Sequence, residues 1–414
     1  MSRKRRSNSA SVSRRTLTAG LGAAGLVAGL APFNILRAQG GPLKIGVLLP
    51  RSGIQAGIGQ DCQRGVDIAG PILKSLGLPE LTIINGDTES NVDTARARAE
   101  KLIGDGAQLL VGAFDSGQTT AIAQVAEQKG VPLVVNIAAA PQITEQGYKF
   151  VFRNFPTAPM ILRDAFEQQK EIFAIAGSAP KTVVFMHVND TYGTAMAKGI
   201  GAVMPKFEMP YTIAEEIAYD PAARDLSVEV AKAKATNADA LLVVSRLNDA
   251  ILLTRELVKQ RWTPQAVFSM GPGWYEDQYF KTLGKLSDGP MSFVPWYDPH
   301  KKLTGVLKAG LAKADPGVNL NTNHIYTFEA LLVAADAYKR SATDPAALAE
   351  AVRTTNITDN VSIGPGISFN AKGQNDKVKD GAIQNIGGEL VTLAPKEAAN
   401  AKPQWPMAPY QSRG

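Results

Sequence analysis

The 414-residue chain contains one cysteine, Cys62, and three histidines, His187, His300 and His324. A single thiol excludes an intramolecular disulfide and any cysteine-based metal cluster. A catalytic thiol would have only those three histidines to pair with, so a buried, neutral Cys62 is the expected state. The sequence has no CxxCH for haem attachment, no HExxH for zinc and no GxSxG nucleophile elbow. Gly53, Gly57 and Gly59 lie in a glycine-rich loop, but the Lys-Ser/Thr of a phosphate-binding loop and the GxGxxG spacing are missing. These glycines serve tight turns or close approach of backbone to a ligand. No catalytic residue, metal ligand or cofactor is expected. After the first 38 residues no stretch is long and apolar enough to span a bilayer.

The charge balance needs one correction. The chain has 44 Lys+Arg against 38 Asp+Glu, a formal net charge of +6. Residues 1–38 hold seven of the basic residues (Arg3, Lys4, Arg5, Arg6, Arg14, Arg15 and Arg37) and no acid. Behind this basic start, Leu17–Leu30 is apolar and rich in Ala and Gly, and Leu36-Arg37-Ala38 precedes an expected cleavage point, although Leu36 is not the usual small residue. The pattern reads as a secretory signal. Ser13-Arg14-Arg15-Thr16-Leu17 resembles a twin-arginine export signal. The remaining chain carries 37 basic and 38 acidic residues, so nothing in its charge asks for nucleic acid or an anionic membrane surface. A periplasmic location is expected.

What the chain has in quantity is alternation of strand and helix. Leu109–Ala140 is the organising stretch: an apolar run to Phe114, the turn Asp115-Ser116-Gly117, a helical pattern through Ala121, Ile122, Val125 and Ala126, Gly130 as a stop, and a second apolar run at Leu133–Val135. Two parallel strands joined by a helix put both strand C-termini on one sheet edge, where open α/β sheets bind ligands. Ser116 and Gly117 at the helix start offer N–H groups and a hydroxyl to an anion such as a carboxylate. Ser116 alternatively serves as a plain helix N-cap. The same alternation precedes this unit, with strands at Leu43–Pro50 and Leu81–Asn85, and restarts after Gln146–Pro156 with strands at Thr182–His187, Tyr211–Ile217, Ala240–Val244 and Ala266–Ser269. Two successive doubly wound α/β domains follow from that period. Met291–Pro299 reads as an extended crossing, Ile363–Phe369 and Ala382–Leu393 as an antiparallel pair, and Pro395–Gly414 as a loosely ordered tail.

The mature chain resembles the type I periplasmic solute-binding proteins of the branched-chain amino acid (Leu/Ile/Val-binding) family, which serve ABC transporters. The matching segments run in order: LKIGVLLPRSG, INGDTESNVDTARARAEKLIGDGAQLLVGAFDSG, GVPLVVNIAAAPQIT, GYKFVFRNFPT, VNDTYGTAMAKG, ADALLVVS, FSMGPGW and VSIGPGISFNAKG. The resemblance implies two Rossmann-like lobes joined by three crossovers, with the ligand enclosed between them by hinge closure. One lobe would comprise residues 43–156 plus 298–361, the other 157–297 plus 362–394. It also implies a monomer that hands its ligand to a membrane permease and performs no chemistry.

The resemblance further implies which residues meet the ligand. Ser116, flanked by Phe114 and Asp115, matches the serine that holds a ligand carboxylate. Ala138 and Ala139 match a loop that offers backbone groups, but the threonine hydroxyl of amino-acid binders is gone. Tyr192 matches an aromatic that packs on the ligand; its other role is a core tyrosine at a helix start. Arg246 stands at a strand end where the family often has an aromatic, and a guanidinium there can grip a carboxylate, unless it forms a salt bridge, for instance to Asp249. Gly273 stands where amino-acid binders place the acid that meets the ligand ammonium. A buried ammonium without a counter-charge is costly, so the expected ligand is an organic acid without an amine, unless Glu276 or Asp277 takes over. Ile58 replaces a tyrosine of some relatives, Arg51 adds positive charge nearby, and Trp274 adds an aromatic body or merely packs in its lobe. An aromatic or phenylpropanoid carboxylate fits this set. The alternatives are a branched-chain amino acid, urea or a short amide, a periplasmic sensor in place of a transport component, and an exported enzyme.

Overall fold

A computed structural model describes residues 41–341 and 345–413. The export signal expected over residues 1–38 lies outside them. The chain begins with β1 (Leu43–Leu49), α1 (Ala56–Asp67), α2 (Ala69–Ser75), β2 (Leu81–Asp87), α3 (Val92–Gly104), β3 (Leu109–Gly112), α4 (Ser116–Lys129), β4 (Leu133–Val135) and β5 (Val151–Arg153). These five strands form one parallel sheet in the order β2-β1-β3-β4-β5. Its central strands are apolar on both faces because helices cover both: every residue of β3 and β4 is buried. Local signals set the helix ends. The Asn91 side chain accepts from Thr94 N at 2.9 Å to start α3. Gly130, at φ 66°, ends α4 in the left-handed region that glycine adopts without strain.

The second half continues with α5 (Ala158–Ala176), β6 (Thr182–Val188), α6 (Thr191–Val203), β7 (Thr212–Tyr219), α7 (Ser227–Ala235), β8 (Ala240–Val244), α8 (Leu247–Lys259), β9 (Val267–Ser269), α9 (Asp277–Leu283) and β10 (Met291–Pro295). The chain then runs through α10 (Lys302–Ala314), α11 (Thr322–Arg340) and α12 (Pro345–Arg353), a small pair β11 (Asn356–Ile357) and β12 (Ile367–Ser368), and a hairpin of β13 (Asp380–Ile386) and β14 (Glu389–Ala394). A seven-stranded sheet results, in the order β14-β13-β10-β9-β8-β6-β7. The helices after β10 return to the first sheet: α11 packs on α1, α2, β3 and β4. The architecture is therefore two α/β lobes with repeated chain crossings.

The crossings are hydrogen-bonded to one another. Arg153 N donates to Gly373 O at 2.8 Å and Asn375 N to Arg153 O at 2.9 Å. Ile363 N donates to Trp296 O at 2.9 Å and Asp298 N to Val361 O at 3.0 Å. Glu329, buried on α11, accepts from Val361 N and Ser362 N at 2.7 Å each and from Asn154 Nδ2 at 2.7 Å.

Three expectations change. Met291–Pro295 is not a crossing; it is a sheet strand, parallel to β9 and antiparallel to β13. Ala382–Leu393 does not pair with Ile363–Phe369. It folds on itself as the β13–β14 hairpin, turning at Gly387 (φ 62°) and Gly388 (φ 86°), while β12 pairs with β11. The tail beyond Pro395 is docked, because Trp405, Met407 and Tyr410 give it apolar anchors. Trp405 stacks on Phe268 with centroids 5.8 Å apart, Met407 and Tyr410 are buried, and Met407 N donates to Gln265 O at 2.7 Å.

Candidate functional site

The C-terminal ends of β3, β4, β6, β8, β9 and β10 face one cavity. Phe114, Ile137, Ala138, Ala139 and Phe155 line it from the five-stranded lobe; Tyr192, Arg246, Met270, Tyr275 and Val294 line it from the seven-stranded lobe. Ser116 and Thr322 add hydroxyls. The wall is otherwise apolar and aromatic, and no Asp or Glu is among the lining residues. Phe114 takes a φ of 76°, which is uncommon for a bulky residue. Asn136 Oδ1 holds its N–H at 3.2 Å.

Asp115, not Ser116, is the N-cap of α4: its Oδ1 accepts from Gly117 N at 2.9 Å and Gln118 N at 3.0 Å. Ser116 is the first helical residue. Its Oγ accepts from Ala140 N at 3.3 Å, which leaves the hydroxyl hydrogen for the cavity. Tyr192 and Thr322 donate their hydroxyls to Met270 O and Pro295 O, each at 2.5 Å. Arg153, fully buried, fixes the alanine wall from behind: its Nη1 donates to Ala138 O at 2.9 Å and Ala140 O at 2.8 Å.

Arg246 does not stand free to grip a carboxylate with both terminal nitrogens. Nη2 donates to Asp115 Oδ2 at 2.8 Å, and Nη1 is paired with Asp190, the N-cap of α6. Asp249 takes the Arg246 backbone N–H at 3.0 Å instead of the guanidinium. Burial pulls the guanidinium pKa down, but the Asp190 and Asp115 carboxylates outweigh that and raise it. The charge lies about 6.0 Å from the Phe114 ring centroid and 5.6 Å from that of Tyr192. Its buried Nε has no partner in the protein.

Asp115 and four other expected site residues lie outside this cavity. Gly273 packs under the start of α8, where a Cβ would fall 2.3 Å from Arg246 O. No side chain fits there without a shift of the α8 start. Trp274 turns into its own lobe, donating Nε1 to Ser245 Oγ at 2.7 Å and packing on Tyr279, while the next residue, Tyr275, faces the cavity. Ile58 borders a second, outer space on the far side of Arg246. Arg51 holds the loop after β1 through its backbone N–H, which donates to Asp87 Oδ1 at 3.0 Å. Glu276 does not line the cavity; it is buried, with Oε1 unpartnered, and burial together with Asp61 pushes its carboxyl well above the usual range. Asp277 is tied to Asn319 N at 3.0 Å and Nδ2 at 2.9 Å.

The sequence reading missed Ile137, Phe155, Met270 and Val294, although each lies at or just beyond a strand end. It missed Tyr275 and Thr322, which only the packing reveals. Among the described residues no group of three or more His, Cys, Asp or Glu side chains is placed to hold a metal ion, and no helix is long and apolar enough to cross a membrane.

Two α/β lobes with a cavity between their strand ends define the class of type I solute-binding proteins. The chain belongs to the periplasmic binding protein family, whose model matches residues 42–385. A Leu/Ile/Val-binding protein homolog 8 of Brucella abortus is 25% identical over 383 residues, covering 87% of this chain and 92% of the relative. The leucine-binding protein LivK of Thermotoga maritima superposes with a TM-score of 0.72 at 20% identity, covering 85% of this chain and 98% of its own. A solute-binding protein of an ABC transporter from R. palustris, solved in complex with benzoate, superposes with a TM-score of 0.72 at 19% identity, covering 87% of this chain and all of its own (100%).

Proposed function

We propose that this protein is the periplasmic binding component of an ABC importer that captures a small, largely apolar organic acid, best an aromatic carboxylate, and performs no chemistry. Residues 43–156 with 298–361 and residues 157–297 with 362–394 act as the two lobes of a monomer that close on the ligand and present it to a permease. The observation that carries the reading is a pair of unspent donors on residues that line a largely apolar cavity: the Ser116 hydroxyl on one lobe and Arg246 Nε on the other. A carboxylate bound to both would join the lobes. Away from water such charge-assisted bonds gain strength. The aromatic side chains suit a flat ring, and the benzoate-bound relative supports the same ligand class.

A branched-chain amino acid is the second reading, favoured by the names of several relatives. The steric block at Gly273 and the absence of a lining acid oppose it. A thermal-shift screen of the chain from Gln39 decides between them, with benzoate, cinnamate, benzamide, aliphatic acids, leucine, valine and urea. A ligand at 100 times its Kd stabilises by about 2.7 kcal/mol. A rise with benzoate or cinnamate and none with benzamide is expected. A rise with leucine or valine alone overturns the aromatic-acid reading.

A further inference from the structure

The proposed ligand leaves one arrangement unexplained. Asp115, at the end of β3, belongs to the five-stranded lobe; Asp190 and Arg246, at the ends of β6 and β8, belong to the seven-stranded lobe. Arg246 bridges them, so the Asp115–Arg246 ion pair joins the lobes directly, side chain to side chain. All three side chains are fixed from behind. Asp115 and Asp190 each cap a helix with Oδ1 and keep Oδ2 for the guanidinium. Gln55 Nε2 also donates to Asp115 Oδ2 at 3.0 Å, and Gln118 Nε2 holds Gln55 Oε1 at 3.1 Å. Arg246 itself starts α8.

The bridge also stands at a boundary. Arg246 lines both the inner cavity and the outer interlobe space that reaches Gly53 and Gln278. At the rim of that outer space the lobes meet once more, where Asn248 Nδ2 donates to Ile54 O at 3.1 Å. The bridge thus borders both spaces.

We propose that Asp115, acting through Arg246, is an interlobe latch: it seals the inner cavity and populates the closed conformation of the ligand-free protein. Asp115 is a positioning residue, since it is not among the residues that line the cavity. A binding protein latched in this way admits ligand only after the Asp115–Arg246 bond breaks, so opening precedes capture. The proposal deepens the binding reading above, but its principal test needs no ligand.

The test is the distribution of interlobe distances in the ligand-free chain, read from nitroxide pairs on exposed positions of α3 and α7, with small-angle scattering alongside. Asp115→Asn keeps a side-chain oxygen to cap α4 and removes the charge from the bridge. It is expected to raise the ratio of open to closed molecules about tenfold, the scale of one charge-assisted hydrogen bond. Arg246→Gln is expected to open the lobes to the same extent, and the double variant no further, because all three lose the same bond. Near-UV circular dichroism checks that each variant is folded. Unchanged distance distributions in both folded variants, or strictly additive effects, overturn the latch. Where benzoate binds, its observed association rate levels off at high concentration in the parent chain, and the plateau rises about tenfold in Asp115→Asn. If no acid in the screen binds, the binding reading fails while the ligand-free distances still decide the latch.

Discussion

Ser116→Ala separates ligand recognition from folding. The side chain is buried at 1% exposure and makes one weak accepted bond, from Ala140 N at 3.3 Å. Asp115 caps α4, so the helix start does not depend on the hydroxyl. Alanine at the first helical position gains up to about 0.5 kcal/mol of helix propensity. That gain offsets part of the cost of leaving the Ala140 N–H without its acceptor, about 1 kcal/mol at the low end for a poorly made bond. The folded state should therefore change by less than about 1 kcal/mol. A carboxylate loses a charge-assisted hydrogen bond of about 1.5–3 kcal/mol, which is a 10- to 150-fold weaker Kd. Titration calorimetry with benzoate, run beside urea unfolding of the same samples, reads both. A folded Ser116→Ala protein whose benzoate affinity stays within threefold of the parent would refute the assignment of Ser116 as the carboxylate donor.

Two further outcomes follow from buried side chains around the site. His324 is fully buried, accepts Asn321 N on Nδ1 at 3.1 Å and has its pKa pushed down to about 3, first by burial and then by Arg64. Its folded pKa lies below the unfolded value, so its contribution is complete above about pH 6.5 and is lost as pH falls from there towards 3, by up to about 1.4 kcal/mol per pH unit. Between pH 7 and pH 5 the stability advantage of the parent over His324→Gln should shrink by roughly 2 kcal/mol in urea unfolding; parallel curves would contradict this. Arg153→Met takes a buried donor from Ala138 O, Ala140 O and Gln374 Oε1, of which the last two keep a longer bond from Ile143 N and Thr144 Oγ1, and should cost about 1–3 kcal/mol, seen as a lower urea midpoint; an unchanged midpoint would contradict it.

The alternation of the two sheets was legible because their inner strands are continuous apolar runs, and runs such as Leu109–Gly112 and Ala240–Val244 are buried throughout. Gly130 announced the end of α4 through local chemistry that tertiary packing did not override. The errors came where a local signal competed with another. Pro290 and Pro295 flank the short run Met291–Val294 and made it look like a linker, yet Pro295 occupies only the strand's last position. Gly387-Gly388 is a turn signal inside a stretch read as one strand. In the tail, anchors spaced by prolines carry no period, so only contact reveals them.

At the site, six of the expected residues, Phe114, Ser116, Ala138, Ala139, Tyr192 and Arg246, line one cavity. What sequence could not show is the direction of side chains in an irregular loop. Within Gly273-Trp274-Tyr275, a tight 3-10 turn sends the tryptophan inward and the tyrosine to the cavity. Nor could it show that the partners of Arg246 would come from positions 131 residues upstream and 56 residues upstream.

The order in which this chain is synthesised conflicts with the order in which it packs. The strand β10 needs β13, made some ninety positions later, to cover its open edge (Met291 pairs with Gln384, Pro295 with Asp380). The last anchors, Met407 and Tyr410, come later still. While the C-terminal part is still on the ribosome, β10 presents unpaired N–H and C=O groups on an apolar strand, the kind of edge that invites pairing with other chains. The five-stranded lobe waits for α11 and the seven-stranded lobe longer still, for β13 and the tail, so a nascent chain would gain from a chaperone until its final residues emerge. Premature termination after β10 should yield an aggregating product, not a half-molecule with one working lobe.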